Sequence, residues 1–154
     1  MIDDNLEKLE AKSELLLNFA ARLEHVEKLI KPALDDKNIV ISDRFFDSTF
    51  AYQGSAFGLD ESLVEKVKEI TIGDFAPDIT FLIDVPVDQA FARIENRDSN
   101  NRYEKMGLDF HHKVRNGFLK LNEENDRIVL IDGTKNPQEI SEEIIGILGY
   151  NINS

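Results

Sequence analysis

An α/β fold class follows from three observations. The runs "NIVIS" (38–42), "ITFLIDV" (79–85) and "RIVLID" (127–132) are continuous, apolar and rich in β-branched residues, as strands covered on both faces are. Helical patterns separate them, and that alternation gives a parallel sheet with right-handed crossovers. Gly, Pro and Ser punctuate elements without forming a linker, so residues 1–154 read as a single domain.

The first helix is expected over 13–34, where Leu16, Phe19, Ala20, Leu23, Val26 and Ile30 recur at helical spacing. Ser13 followed by Glu14 suits its start, and Pro32 marks a kink or an end. After the strand at 38–42 come helical stretches at about 45–56 and 60–72. The strand at 79–85 leads into helices at about 87–97 and 104–124, and the strand at 127–132 into one over Pro137 to Leu148. Ligands of such sheets bind beyond the carboxyl ends of the strands, where Asp43-Arg44, Asp84 and Asp132 stand.

Eighteen Lys and Arg against 30 Asp and Glu give a net charge of -12, which disfavours a nucleic acid backbone or an anionic membrane as partner. With no cysteine there is no disulfide, thiolate nucleophile or Cys-type zinc site, in keeping with a reducing cytoplasm. His25, His111 and His112 lack partners at recognised metal-ligand spacing. The acidic start "MIDDNLEKLEAK" has no apolar core of a signal peptide, and no apolar run approaches the ~18 residues of a membrane span.

Four groups of residues carry candidate chemistry. In "ISDRFFDSTFAYQG" (41–54), Arg44 is placed to fork two hydrogen bonds onto a phosphate and Asp43 to hold a magnesium-bound water; a plain Asp-Arg pair closing the strand end is the structural alternative. Asn18, Arg22 and His25 form a polar stripe on the first helix, facing either a ligand or water. Arg93, Arg97, Arg102 and Lys105 concentrate positive charge around a loop-like "DSNN", read as an arginine-bearing lid or as a solvated loop. "DGTK" (132–135) reads as the turn after the last strand, and no G-x-x-x-x-G-K-[ST] cradle for a triphosphate occurs.

The blocks "LLLNFAARLEHVEKLIKPAL", "VISDRFFDSTFAYQGSAFGL", "PDITFLIDV" and "RYEKMGLDFHHKVRNGFLKL" resemble consecutive blocks of the thymidylate kinase family of P-loop nucleoside monophosphate kinases, over about Leu15 to Leu148. The resemblance implies a three-layer, P-loop NTPase-like parallel sheet and phosphoryl transfer from ATP to dTMP with Mg2+, giving ADP and dTDP. It also implies a cytoplasmic homodimer packed through its helices. By the same resemblance Asp43 is the acid near the transferring group, acting on the metal through water, and Arg44 holds the monophosphate. Arg22 contacts the thymine, Gln53 and Thr49 read the base edge, Tyr52 presses on the sugar, and Ser48 supports them. Arg97 is the lid arginine that stabilises developing charge, with Arg93 and Arg102 as lid support.

Three departures stand out. Where the family stacks an aromatic on the base, this chain has Asn18, and the neighbouring Phe19 projects about 100° away on a helix. The family's "AYQGxxRGL" reads "AYQGSAFGL", with Phe57 in place of arginine. The family's first strand, P-loop and second strand lie upstream of anything matched here, so the expectation is an N-terminally incomplete member whose strands at 38–42 and 79–85 lose a shared partner. Two other readings stand beside the kinase. One is a kinase for another monophosphate, against which Tyr52 and Gln53 argue; the other is a non-catalytic fragment that binds dTMP or dimerises.

Overall fold

A computed structural model gives the fold over residues 9–94, 103 and 106–149. The chain forms two compact units, Met1–Ala76 and Pro77–Ser154, each with its own core.

In the first unit, α1 (Ala11–His25) continues through a π-helical turn at Val26–Ile30 into a short α2 (Lys31–Asp35). Pro32 explains the wide turn: it has no N–H to offer, and its ring crowds the carbonyl of Lys28. The helix begins two residues before Ser13, with Glu10 at its N-cap, so Ser13 does not cap it. Its inner face is also rotated from the expected one. Leu15, Phe19, Val26 and Ile30 are buried, whereas Leu16 is 56% exposed and Ala20 lies outside. Next come α3 (Phe46–Thr49), a π-helical segment at Phe50–Ala56, and α4 (Glu61–Thr71). Asp60 caps α4 by accepting from the Ser62 amide at 2.9 Å. Phe46, Phe50, Ala51, Val64 and Val67 complete the core, Phe46 and Phe50 meeting edge to face at 6.2 Å.

The strand expected at 38–42 does not form among the described residues. A strand exists only through a ladder partner, and no described strand pairs with this segment. Its apolar side chains lie open accordingly, with Ile39 73% and Ile41 92% exposed.

In the second unit, β1 (Thr80–Asp84) and β2 (Ile128–Asp132) pair in parallel, with Thr80 opposite Ile128 and Asp84 opposite Asp132. Between them run α5 (Val87–Ile94) and α6 (Leu108–Glu124), and α7 (Pro137–Ile147) follows β2. Val87, Val114, Leu121, Ile128 and Ile131 are buried, while Ile83 and Leu130 remain exposed. Covering on both faces is therefore not met within this unit. Asp132–Lys135 makes the turn after β2, Asp132 Oδ1 accepting from the Thr134 amide and hydroxyl at 2.9 and 2.6 Å. Those hydrogen bonds hold the Asp132 carboxyl below its ordinary pKa. Asn136 and Glu139 then form a capping box that starts α7.

Candidate functional site

Arg22, Asp43, Arg44, Ser48, Thr49, Tyr52 and Gln53, the seven residues expected from sequence at an acceptor site, all belong to the first unit. Three cross-links tie their segments together. Arg22 on α1 donates from Nη2 to the carbonyl oxygen of Phe45 at 3.3 Å, clamping the helix to the residue after Arg44. The Arg44 guanidinium lies 5.3 Å from the centre of the Tyr52 ring. The Gln53 amide donates from Nε2 to Glu14 Oε2 at 3.2 Å, joining the π-helical segment back to α1.

Arg22 carries the sharpest chemistry. Its guanidinium carbon sits 4.8 Å from the centre of the Phe19 ring and 5.4 Å from that of Phe45, a cation held between two aromatic faces. Burial pulls its pKa down to about 10, and the buried Asp47 carboxylate opposes that pull. Its Nη1 is sealed from solvent and has no hydrogen-bond partner among the described residues. A desolvated cation with an unused donor lacks the oxygen acceptor that would offset its burial. Phe19 is fully buried beneath it, so its ring stays in the core, and the exposed Asn18 stands one turn before Arg22.

Asp43 and Arg44 are exposed in a bend. Arg44 has φ 69°, a left-handed conformation that costs a non-glycine residue energy, and Ser42 Oγ holds it by donating to the Arg44 carbonyl oxygen at 2.9 Å. Ser48 is half-buried, whereas Thr49 and Gln53 are each 2% exposed. The expected regular helix over 45–56 is instead α-helical to Thr49 and π-helical from Phe50. The wider turn changes the directions in which Tyr52 and Gln53 project.

In the second unit the strand ends are also furnished. Arg115 from α6 grips Asp84 with two 2.7 Å hydrogen bonds, Nε to Oδ1 and Nη2 to Oδ2, and these raise the pKa of Arg115. Arg93 donates from both terminal nitrogens to the Gly133 carbonyl oxygen at 3.3 Å. An open depression of about 380 Å³ lies here, lined by Asp84, Leu130, Asp132, Thr134 and Glu143 among others. Arg97, Arg102 and Lys105 fall outside the described residues.

Three residues were not singled out for a site by sequence. Glu14, read as an acid near the helix start, is buried against Gln53; its place four residues before Asn18 on the Arg22 stripe was the available signal. Asp47 and Arg115 had no such signal, because their partners come from distant segments.

The sequence matches the family described as Thymidylate kinase over residues 1–144. It is 39% identical over 142 residues to a thymidylate kinase of Trichodesmium erythraeum, covering 92% of this chain and 63% of that one. To a thymidylate kinase of Fervidobacterium nodosum it is 44% identical over 137 residues, covering 89% and 69%. The crystal structure of thymidylate kinase from Ehrlichia chaffeensis matches with a TM-score of 0.72 at 38% identity, over 94% of this chain and 67% of that one. The chain thus spans about two thirds of the length of the relatives it matches.

Proposed function

This chain belongs to the thymidylate kinase family, and from that premise we propose that it serves phosphoryl transfer from ATP to dTMP by carrying the dTMP-accepting part of the site. The observation that carries the proposal is the half-buried Arg22 with its unpartnered Nη1, set on the helix that is clamped to the Arg44 bend. In this reading Arg22 donates to a base oxygen, Arg44 holds the monophosphate, and Tyr52 lies against the sugar. Gln53 and Thr49 read the base edge, supported by Ser48. Asp43 is the acid nearest the transferring group, and Arg93, Arg97 and Arg102 belong to the lid. Residues 1–154 form one thymidylate kinase-like domain, cytoplasmic and dimeric, with the exposed Leu16 and Leu17 on α1 as the apolar surface a partner copy covers. No described helix is long and apolar enough to cross a membrane.

The residues described do not themselves fit the triphosphate donor or its metal. The sequence holds no G-x-x-x-x-G-K-[ST], and among the described residues no group of three or more acidic or histidine side chains is placed to hold an ion. A second reading is dTMP binding without turnover. Calorimetric titration of dTMP into the 154-residue chain, with ADP release followed in a coupled assay, tests both. Binding with turnover supports the kinase, and binding alone supports the second reading. Absence of binding overturns the site assignment.

A further inference from the structure

We infer that Glu14 is a positioning residue for base recognition, acting through Gln53; this rests on the reading of Gln53 as a base-edge group. Glu14, Asn18 and Arg22 climb α1 in steps of one turn, and both Glu14 and Gln53 are buried. A carboxylate only accepts hydrogen bonds. Glu14 Oε2, taking its 3.2 Å hydrogen bond from Gln53 Nε2, therefore fixes which end of the amide faces α1. An unanchored glutamine turns its amide over and offers either oxygen or nitrogen to a ligand. Gln53 is held with its nitrogen turned toward α1, which leaves its carbonyl oxygen as the acceptor to be read.

Arg22, by contrast, only donates. One fixed acceptor and one fixed donor complement a pyrimidine with a ring carbonyl next to an imide N–H, as in thymine. With Arg22 at the ring-carbonyl position and the Gln53 oxygen at the imide position, a pyrimidine with an exocyclic amino group next to a bare ring nitrogen, as in cytosine, sets donor against donor and acceptor against acceptor and leaves buried polar groups unmatched. Glu14, without touching the base, thereby sets the polarity by which the site rejects cytosine.

The test compares wild type with Glu14→Gln in the 154-residue chain by calorimetric titration with dTMP and with dCMP, alongside Tm. Glutamine keeps the size of the side chain and a hydrogen bond to Gln53, but it lets the pair reverse its polarity. The expected result is an unchanged Tm and a preference for dTMP over dCMP reduced about tenfold. An unchanged preference at unchanged Tm overturns the role of Glu14 alone. A wild type that binds dTMP and dCMP equally overturns the specificity claim, and one that binds neither overturns the reading of the site on which it rests. Should Glu14→Gln fail to fold, selective 15N-glutamine labelling of the wild type gives a second measurement. The Gln53 side-chain amide, assigned through its backbone, is expected to exchange slowly with water. A fast-exchanging amide overturns the inference.

Discussion

The Arg44 guanidinium lies 5.3 Å from the centre of the Tyr52 ring, while its own backbone sits at φ 69°. A left-handed arginine is strained, and this strained residue is the one whose guanidinium lies over the Tyr52 ring. Arg44→Gly removes that strain, partly offset by the greater freedom glycine gives the unfolded chain. The expected outcome is a chain stabilised by roughly 0.5–1 kcal/mol in chemical denaturation that no longer binds dTMP measurably. A destabilised Arg44→Gly would mean the bend holds Arg44 for packing rather than for a ligand.

Arg22 serves stability and binding together. A guanidinium whose pKa is pulled to about 10 by burial, with Nη1 unpartnered, costs the empty protein stability that an oxygen ligand restores. Arg22→Met removes the guanidinium over Phe19, its hydrogen bond to the Phe45 carbonyl oxygen and the cation facing Asp47. It should cost about 1–3 kcal/mol of stability and weaken dTMP binding by at least about tenfold. A thermal shift measured with and without dTMP separates the two effects: the variant should melt lower alone and gain nothing from the nucleotide.

Asn18 gives a prediction of opposite sign. It is exposed one turn before Arg22, and the neighbouring Phe19 ring is sealed in the core under the guanidinium, so neither residue offers a ligand an open aromatic face. Asn18→Phe supplies a surface on which a pyrimidine stacks, an interaction worth ~1–3 kcal/mol per base. Affinity for dTMP by calorimetry should rise at least about fivefold. An unchanged affinity would mean the base lies elsewhere.

The sequence patterns were most legible where structure is local. Helical periodicity located α4, α6 and α7, and continuous apolar runs located β1 and β2. They failed at 38–42 because a strand is a pairwise object: "NIVIS" has the composition of a strand, but no described partner closes its hydrogen bonds. The face of α1 was misread for a related reason. Leu15 and Leu16 are indistinguishable by composition, and only packing against α4 and the π-helical segment puts Leu15 inside. In the site, motif spacing pointed to Arg22 and Arg44, whose segments are adjacent in the fold. The buried acids Glu14 and Asp47 escaped it, since an acid on a helix reads as solvated until its partner from another segment is known.

Arg115 and Asp84 join α6 to the carboxyl end of β1 through two parallel 2.7 Å hydrogen bonds. The planar fork matches the carboxylate, so Lys, a single point donor, does not replace it. Arg115→Lys should lose about 1–2 kcal/mol by denaturant unfolding, and Arg115→Met somewhat more because Asp84 is then left unpaired. Equal stability of Arg115→Lys and wild type would show that one contact suffices.

Gly133 stands where the chain leaves β2, and its amide donates to the Asp84 carbonyl oxygen at 2.8 Å. A Cβ built there would lie 2.5 Å from Val85 Cγ2, 2.8 Å from the Asp84 carbonyl oxygen and 2.8 Å from Ile83 Cγ2. The two side-chain methyls have some room to turn, but the carbonyl belongs to the strand and does not. Gly133→Ala must therefore push the turn off β1, loosening the ladder beside Asp84 and drawing the Gly133 carbonyl away from Arg93. The expected cost is about 2–3 kcal/mol in denaturant unfolding. Hydrogen exchange should localise it, with the amide protons of β1 and β2 losing protection while those of α1 keep theirs. Unchanged protection in both strands would show that the turn absorbs a methyl group without moving the sheet.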